Sequence, residues 1–288
     1  MKLIRFGTFG NEKPGVHLNG KNYDVSSFVN DFDETFFAND GLQKLANELT
    51  NTKDLIKEIS DDTRLGCPVA RPSKIVCVGL NYAKHAKETN AAIPSEPILF
   101  LKSTTSIVGP NDAIIIPKNS VKTDWEVELA VVISKRASYV EEQDSMNYIA
   151  GYCLHNDVSE RAFQLERGGT WDKGKGCDSF APLGPWLVSK DEIPDPHHLR
   201  LWLSLNGKIV QDSNTDDLIF NVPYLISYIS QFMTLLPGDI ISTGTPAGVG
   251  LGMNPPLYLK PGDVVELGID GLGKSKQIAA AYQSNTNS

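Results

Sequence analysis

The chain has 288 residues, with 27 Lys and Arg against 35 Asp and Glu, for a formal net charge of −8. Hydrophobic residues make up 41% and charged residues 22%, the balance of a folded globular chain rather than a disordered one. The acidic pI near 5.2 argues against nucleic acid or an anionic membrane as partner, since both need a cationic footprint.

Taken in chain order, residues 1–68 read as a small N-terminal α+β domain. MKLIRFG and PGVHLNGKNYDVSSFV alternate apolar and polar residues around Gly and Asn turns, as hairpin strands do. Asp40–Ile59 carries Leu42, Leu45, Leu49, Leu55, Ile56 and Ile59 at mostly helical spacing, which predicts a helix. Residues 69–284 read as a larger, mostly β domain. Its expected strands are KIVCVG, ILFLKS, AIIIP, VELAVVIS, YIAGYCLH, WLVS, LRLWLSLNG, DIISTG and DVVELGI. Helices are expected only at Tyr82–Thr89, Ser159–Glu166 and Val222–Phe232. Strands do not alternate with helices of 10–15 residues, so a mixed β-sandwich roll with a few covering helices is expected, not a doubly wound parallel sheet. The last residues, 285–288, read as a frayed tail.

No apolar run approaches the ~20 residues of a membrane span. The opening MKLIRFGTFG lacks a signal-peptide pattern. Cys67, Cys77, Cys153 and Cys177 lie far apart with no CxxC pair, so free thiols and a cytoplasmic protein are expected.

Residues two apart on a strand share a face, so Glu126 and Glu128 in DWEVELAVVI point the same way, ~7 Å apart, at the mouth of an apolar strand. Two readings stay open: a hard divalent cation that offsets the like charges, or two solvated glutamates. Asp157 either contributes a third carboxylate or caps a helix with Glu160 closing a capping box. In GLNYAKHAKET, His85 and Glu88 are i and i+3 on a short helix, where a carboxylate raises the basicity of the imidazole; an incidental surface pair has the same spacing. Lys173 and Lys175 lie among glycines in TWDKGKGCDSFAPLGPW, either facing an anion or solvated. The hydroxyls of Thr243 and Thr245 precede a Gly-rich turn that either holds a carboxylate or is an ordinary tight turn.

Gly268–Ser275, GIDGLGKS, matches the phosphate-loop pattern of nucleotide-binding proteins. Such a loop needs a following helix and further parallel strands. The expectation here is a hairpin turning at Asp-Gly.

The segments GLNYAKHAKE, EPILFLKS, WEVELAVVI, GYCLHNDVSERAFQ, KGKGCDSFAPLGPW and PGDIISTGTPAGVG, in that order, resemble the fumarylacetoacetate hydrolase family from about Lys74 to Tyr282. The likeness extends to the branch that hydrolyses 2,4-diketo-3-deoxy sugar acids and to the acylpyruvate hydrolase and oxaloacetate decarboxylase branch. The resemblance implies Mg²⁺, or Mn²⁺, held by Glu126, Glu128 and Asp157. It implies a catalytic His85–Glu88 dyad on a lid, an active-site Lys175 rather than Lys173, and substrate contacts from Arg161, Gln164, Thr245 and Lys102. Cys177 stands where the family often has an aromatic, a change expected to alter the pocket wall. The activity it implies is hydrolysis of a C–C bond in a 2,4-diketo acid, giving pyruvate and a carboxylic acid from a small anionic keto-acid substrate. Oxaloacetate decarboxylation and an isomerase or ureidoglycolate lyase activity are the alternatives within the family. A homodimer is likewise implied by the resemblance alone.

Overall fold

A computed structural model describes residues 1–52, 56–88 and 91–283. The chain opens on β1 (Lys2–Phe6), β2 (Lys13–Leu18) and β3 (Lys21–Asp24). Asn19 and Gly20 join β2 to β3 with φ of 51° and 81°, and Leu18 faces Lys21 across them. A two-residue turn with both residues left-handed matches strand twist, which suits Asn-Gly. Then come α1 (Glu34–Ala38), α2 (Gly41–Thr52), β4 (Lys57–Ile59) and β5 (Leu65–Gly66).

The helix expected over Asp40–Ile59 is shorter than its apolar spacing suggested. Ile59 is buried on β4, which gains ladder bonds by pairing with β3; Lys53, Asp54 and Leu55 lie outside the described residues. Apolar spacing over so few residues does not separate a helix from a following strand.

The rest of the chain comprises β6 (Ile75–Gly79), α3 (Ala83–Glu88), β7 (Ile98–Lys102), β8 (Ile107–Val108), β9 (Ile114–Ile116), β10 (Thr123–Asp124), β11 (Val127–Ile133) and β12 (Ile149–Asn156). After these come β13 (Ser159–Glu160), α4 (Arg161–Leu165), α5 (Asp172–Lys175), β14 (Ala181–Pro182) and β15 (Leu187–Ser189). The chain continues through β16 (Arg200–Leu205), β17 (Lys208–Asn214), α6 (Val222–Phe232), β18 (Ile240–Ser242), β19 (Val264–Ile269) and β20 (Gly273–Ala281). The fold is mostly β with few helices. The strand β17 was not expected, because its sequence KIVQDSN is polar; the Asn206-Gly207 turn before it, with φ of 52° and 81°, was its signal. Expected helix residue Thr89 and tail residues 285–288 lie outside the described residues. Among the described residues no helix is long and apolar enough to cross a membrane.

One large mixed sheet runs β4-β3-β2-β1-β15-β12-β11-β18-β6-β7, with β5 beside β1. The N-terminal strands thus extend the same sheet that contains β11. A second sheet runs β17-β16-β19-β20-β9. Strand β11 is buried along its whole length. Its residues Val127, Leu129, Val131 and Ile133 join the core shared with β16 and β19. Ala130 and Val132 join the other core, with Cys77, Phe100, Cys153, Ile240 and the helices α1 and α2. Alternation therefore gives each face of β11 its own apolar partner.

GIDGLGKS is a hairpin. Ile269 faces Gly273 across the turn, and the chain returns as β20, antiparallel to β19, so no phosphate loop is present. All four cysteines are free. On α6, Asn221 caps Tyr224 and Val222, Leu225, Ile226 and Ile229 are buried, while Tyr224, Tyr228 and Phe232 form a ring ladder with Phe220 on the other face.

Leu129 is fully buried between the sheets. Leu129→Ala is expected to lower the unfolding free energy by about 2–5 kcal/mol, measured by urea denaturation.

Candidate active site

Glu128 on β11 and Glu126 just before its start share the face that carries Ala130 and Val132, and β12 delivers Asp157 to the same face just past its end. All three are buried, and one oxygen from each lies within 4.8 Å of the others. The backbone holds them there. Asp157 N–H donates to the Glu126 carbonyl at 2.9 Å, and Glu126 N–H donates to Asn156 Oδ1 at 3.1 Å. Asp157 is not a helix cap; Glu160 caps α4 by accepting from Ala162 N–H.

Three buried cations answer these charges. Lys102 Nζ donates to Asp157 Oδ1 at 2.5 Å and to the Val158 carbonyl at 3.0 Å. Lys175 Nζ donates to Glu126 Oε2 at 2.6 Å and to Asp157 Oδ2 at 2.8 Å. Arg161 spans Asp124 and Glu126, at 2.8 and 2.6 Å. Lys173, by contrast, is exposed and donates to the Arg167 carbonyl. Burial opposes the charges on Glu126 and Asp157, but Lys175 with Arg161, and Lys102 with Lys175, hold both below the usual carboxylate range. Burial likewise opposes the Lys175 ammonium, and Asp157 and Glu126 outweigh it.

Glu128 is different. Its Oε2 accepts from Ser242 Oγ at 2.6 Å and Gly244 N–H at 3.0 Å, and no described cation touches it. Burial, then Asp157 and Glu126, push its carboxyl well above the usual range. The crowding lacks a positive charge at this point. Two oxygens on one hard divalent cation, bound at about 2.1–2.5 Å, lie no more than about 5 Å apart. The oxygen set of the three carboxylates meets that limit. Each lysine or arginine contact uses one lone-pair site of an oxygen and leaves others available. The donor set therefore fits a hard divalent cation such as Mg²⁺ or Mn²⁺.

On α3, His85 Nδ1 lies 3.3 Å from Glu88 Oε2. Both Glu88 oxygens also accept from Gly248 N–H, at 3.0 and 3.1 Å, pinning the short helix to the Gly-rich loop after β18. Burial opposes the Glu88 charge, while His85 and the Gly248 amide hold the carboxyl below its ordinary value. A cavity of about 210 Å³ is lined at once by His85, Glu126, Glu128, Arg161, Gln164, Lys175 and Thr245. Thr245 has its hydroxyl committed, donating to the Val127 carbonyl and accepting from Gln211. Lys102 lies beneath the site against Asp157. Cys177 does not line the cavity.

Residues 74–278 match the family described as Fumarylacetoacetate (FAA) hydrolase C-terminal. The chain belongs to the fumarylacetoacetate hydrolase family. A Burkholderia multivorans protein provisionally named a hydrolase is 51% identical over 283 residues, covering 98% of this chain and 99% of its own. A Mycobacterium abscessus structure, provisionally named a 2-hydroxyhepta-2,4-diene-1,7-dioate isomerase, superposes with a TM-score of 0.81 at 31% identity, over 98% of this chain and 100% of that one. The maleylpyruvate hydrolase of Sphingobium sp. SYK-6, solved with manganese(II) and pyruvate, superposes with a TM-score of 0.82 at 27% identity and the same coverage.

Four supporting residues of this family member were not singled out in the sequence. Asp124 accepts from Arg161, Trp125 N–H, Gly250 N–H and Leu251 N–H, tying the loop after β18 to the arginine. Gln211 accepts from Val127 N–H and so fixes the start of β11. Ser242 and His155 form a relay to Glu128: His155 Nδ1 lies 2.6 Å from Ser242 Oγ, which donates to the carboxylate. Ser242 has one proton, so toward ionised Glu128 it must accept from Nδ1–H, which sets the histidine tautomer. Burial holds the His155 imidazole down to about 3, hence neutral. The signal available in sequence was positional: His155 is two residues before Asp157 on the same strand face.

Ser242→Ala breaks this relay. It is expected to weaken Mn²⁺ binding about 10–100-fold, read by titrating the ion into the protein.

Proposed function

We propose that the protein is a divalent-metal-dependent hydrolase that cleaves the C3–C4 bond of a 2,4-diketo acid to pyruvate and a carboxylic acid. The observation that carries this reading is one cavity lined both by the His85 side of the dyad and by two of the three clustered carboxylates. Glu126, Glu128 and Asp157 would hold Mg²⁺ or Mn²⁺. When bound, the ion supplies Lewis-acid polarisation of the 2-keto acid end and offsets charge that develops there. The manganese(II) and pyruvate of the Sphingobium maleylpyruvate hydrolase support this choice of cation and product.

Glu88 orients the His85 ring through Nδ1, and the imidazole would take a proton from water. The water oxygen adds to C4. The C3–C4 bond then breaks, its electron pair passing to the pyruvate enolate, and C4 leaves as the carboxylic acid. The proton held by His85 returns to C3 and completes pyruvate. Lys175 keeps its charge through its two carboxylate partners and stabilises negative charge at the enolate oxygen. Arg161 holds Glu126 and Asp124 in place, and its contact with Gln164 Oε1 at 3.0 Å aims that amide at the substrate.

The test is steady-state release of pyruvate from acylpyruvates with Mg²⁺ or Mn²⁺, with EDTA as control. Activity should vanish on chelation and return with the metal. His85→Ala is expected to lower kcat about 10²–10⁴-fold. Loss of CO₂ from oxaloacetate with His85 dispensable, or isomerisation without pyruvate release, would replace the hydrolytic reading. Lys175→Ala should abolish turnover, whereas exposed Lys173→Ala should leave kcat within about twofold, a difference of no more than ~0.4 kcal/mol in barrier.

A further inference from the structure

Asp124, Glu126, Glu128 and Asp157 are buried carboxylates; Lys102, Lys175 and Arg161 are the buried cations that meet them. With all four carboxylates ionised, as a bound cation requires of its ligands, the cluster alone carries one surplus negative charge. A bound divalent cation turns that surplus into one positive charge, which a single substrate carboxylate neutralises. Each of the three cations is already engaged. Lys102 and Lys175 each touch Asp157, and Lys175 also touches Glu126. Arg161 uses Nε on Asp124, Nη2 on Glu126 and Nη1 on Gln164.

Apart from His85, Gln164 and Thr245, the remainder of the cavity wall is apolar. Outward from the cluster, Lys175 Nζ lies 4.9 Å over the Phe100 ring, and Phe100 packs on Trp171 with ring centroids 5.4 Å apart. Val78, Leu80, Leu165 and Leu251 complete this wall. Trp171 is held close: a Cβ built on Gly79 would stand 2.5 Å from its ring, so the glycine is what lets the indole reach the cavity. Among the described lining residues no further lysine or arginine faces this wall. Gln164 leaves its Nε2 unpaired among the described residues, enough to serve one neutral oxygen. The volume, about 210 Å³, is below the ~300 Å³ at which pockets for drug-sized ligands begin.

We infer that the acyl end of the substrate is compact and uncharged, an alkyl group with at most one hydroxyl, and that a second carboxylate or a polyhydroxylated chain is rejected. This rests on the diketo-acid reading above and narrows it. A terminal carboxylate against Phe100, Trp171, Leu80 and Leu251 would lose water with no lysine or arginine to receive it, and an unpaired buried charge is strongly unfavourable. A string of hydroxyls would leave buried donors unmet.

Two matched pairs test this. With Mn²⁺-loaded enzyme, kcat/KM is compared for butanoylpyruvate and succinylpyruvate, which share a four-carbon acyl chain and differ by the terminal carboxylate. Dissociation constants are measured by calorimetry for 2-oxohexanoate and 2-oxoadipate, which differ in the same way and need no turnover. The uncharged member is expected to lead by about 100-fold in kcat/KM and at least tenfold in affinity. Leu165→Arg, at a half-exposed wall position, is expected to recover succinylpyruvate cleavage at least tenfold. Equal constants within either pair, or a preference for the dicarboxylate, would overturn the inference while leaving the hydrolase reading intact. Binding of neither oxo acid together with no cleavage would overturn the reaction itself, and the inference with it.

Discussion

Everything around the cavity answers one electrostatic problem: four carboxylates buried within one small volume. Burial disfavours each charge, and each carboxylate disfavours the others. Lys102, Lys175 and Arg161 offset most of this through short contacts, but none reaches Glu128. The imbalance is local and sits where the carboxylate oxygens converge. A site of this kind is poor at stabilising the fold, since apolar side chains of similar size would serve as well or better. Under the proposed function, its value lies in a pre-set arrangement that a cation and an anionic ligand would complete.

That arrangement is possible because β11 is buried on both faces. One face supplies Val127, Leu129, Val131 and Ile133 to the inter-sheet core, and the other is free to carry Glu128 below Ala130 and Val132. Small neighbours on the second face, such as Cys77, Ala130 and Cys153, leave room for long charged side chains from adjacent strands. The neighbouring strands β12 and β18 contribute His155, with Asp157 just past the end of β12, and Ser242; Lys102 comes from β7, beyond β18 and β6. A rigid sheet therefore holds the charged groups, while the dyad rides on a six-residue helix tied down through Glu88 and Gly248. Under the proposed function, the part that would bind the anion is built on the sheet and the part that would activate water is carried by a separate short helix.

Most of the longer strands, the hairpin at GIDGLGKS, α6 and the pairing of His85 with Glu88 were legible from local patterns: alternation, Asn-Gly and Asp-Gly turns, and i,i+3 spacing; β4 and β17 were not. The triad of Glu126, Glu128 and Asp157 was only half legible. Glu126 and Glu128 stood out by their period on an apolar strand, but spacing favoured Asp157 as a helix cap, and only the family resemblance reversed that reading. Lys175 could not be told from Lys173 by spacing, because both lie in a glycine-rich stretch; one turn of α5 buries the first and exposes the second. Asp124, Ser242, His155 and Gln211 gave almost no local signal, since each acts on residues at least 30 positions away or on backbone groups.

The sequence by itself determined most of the longer strands, the acidic balance and the Glu126–Glu128 pair, because these follow from composition and short-range periodicity. The tertiary structure alone decided which cation meets which carboxylate, that Glu128 is left without one, and that the cavity beyond the cluster is apolar. Those are properties of distance and burial between strands far apart in the chain. Coulomb energy and desolvation depend on such distances and on local dielectric, neither of which is written in the order of the residues.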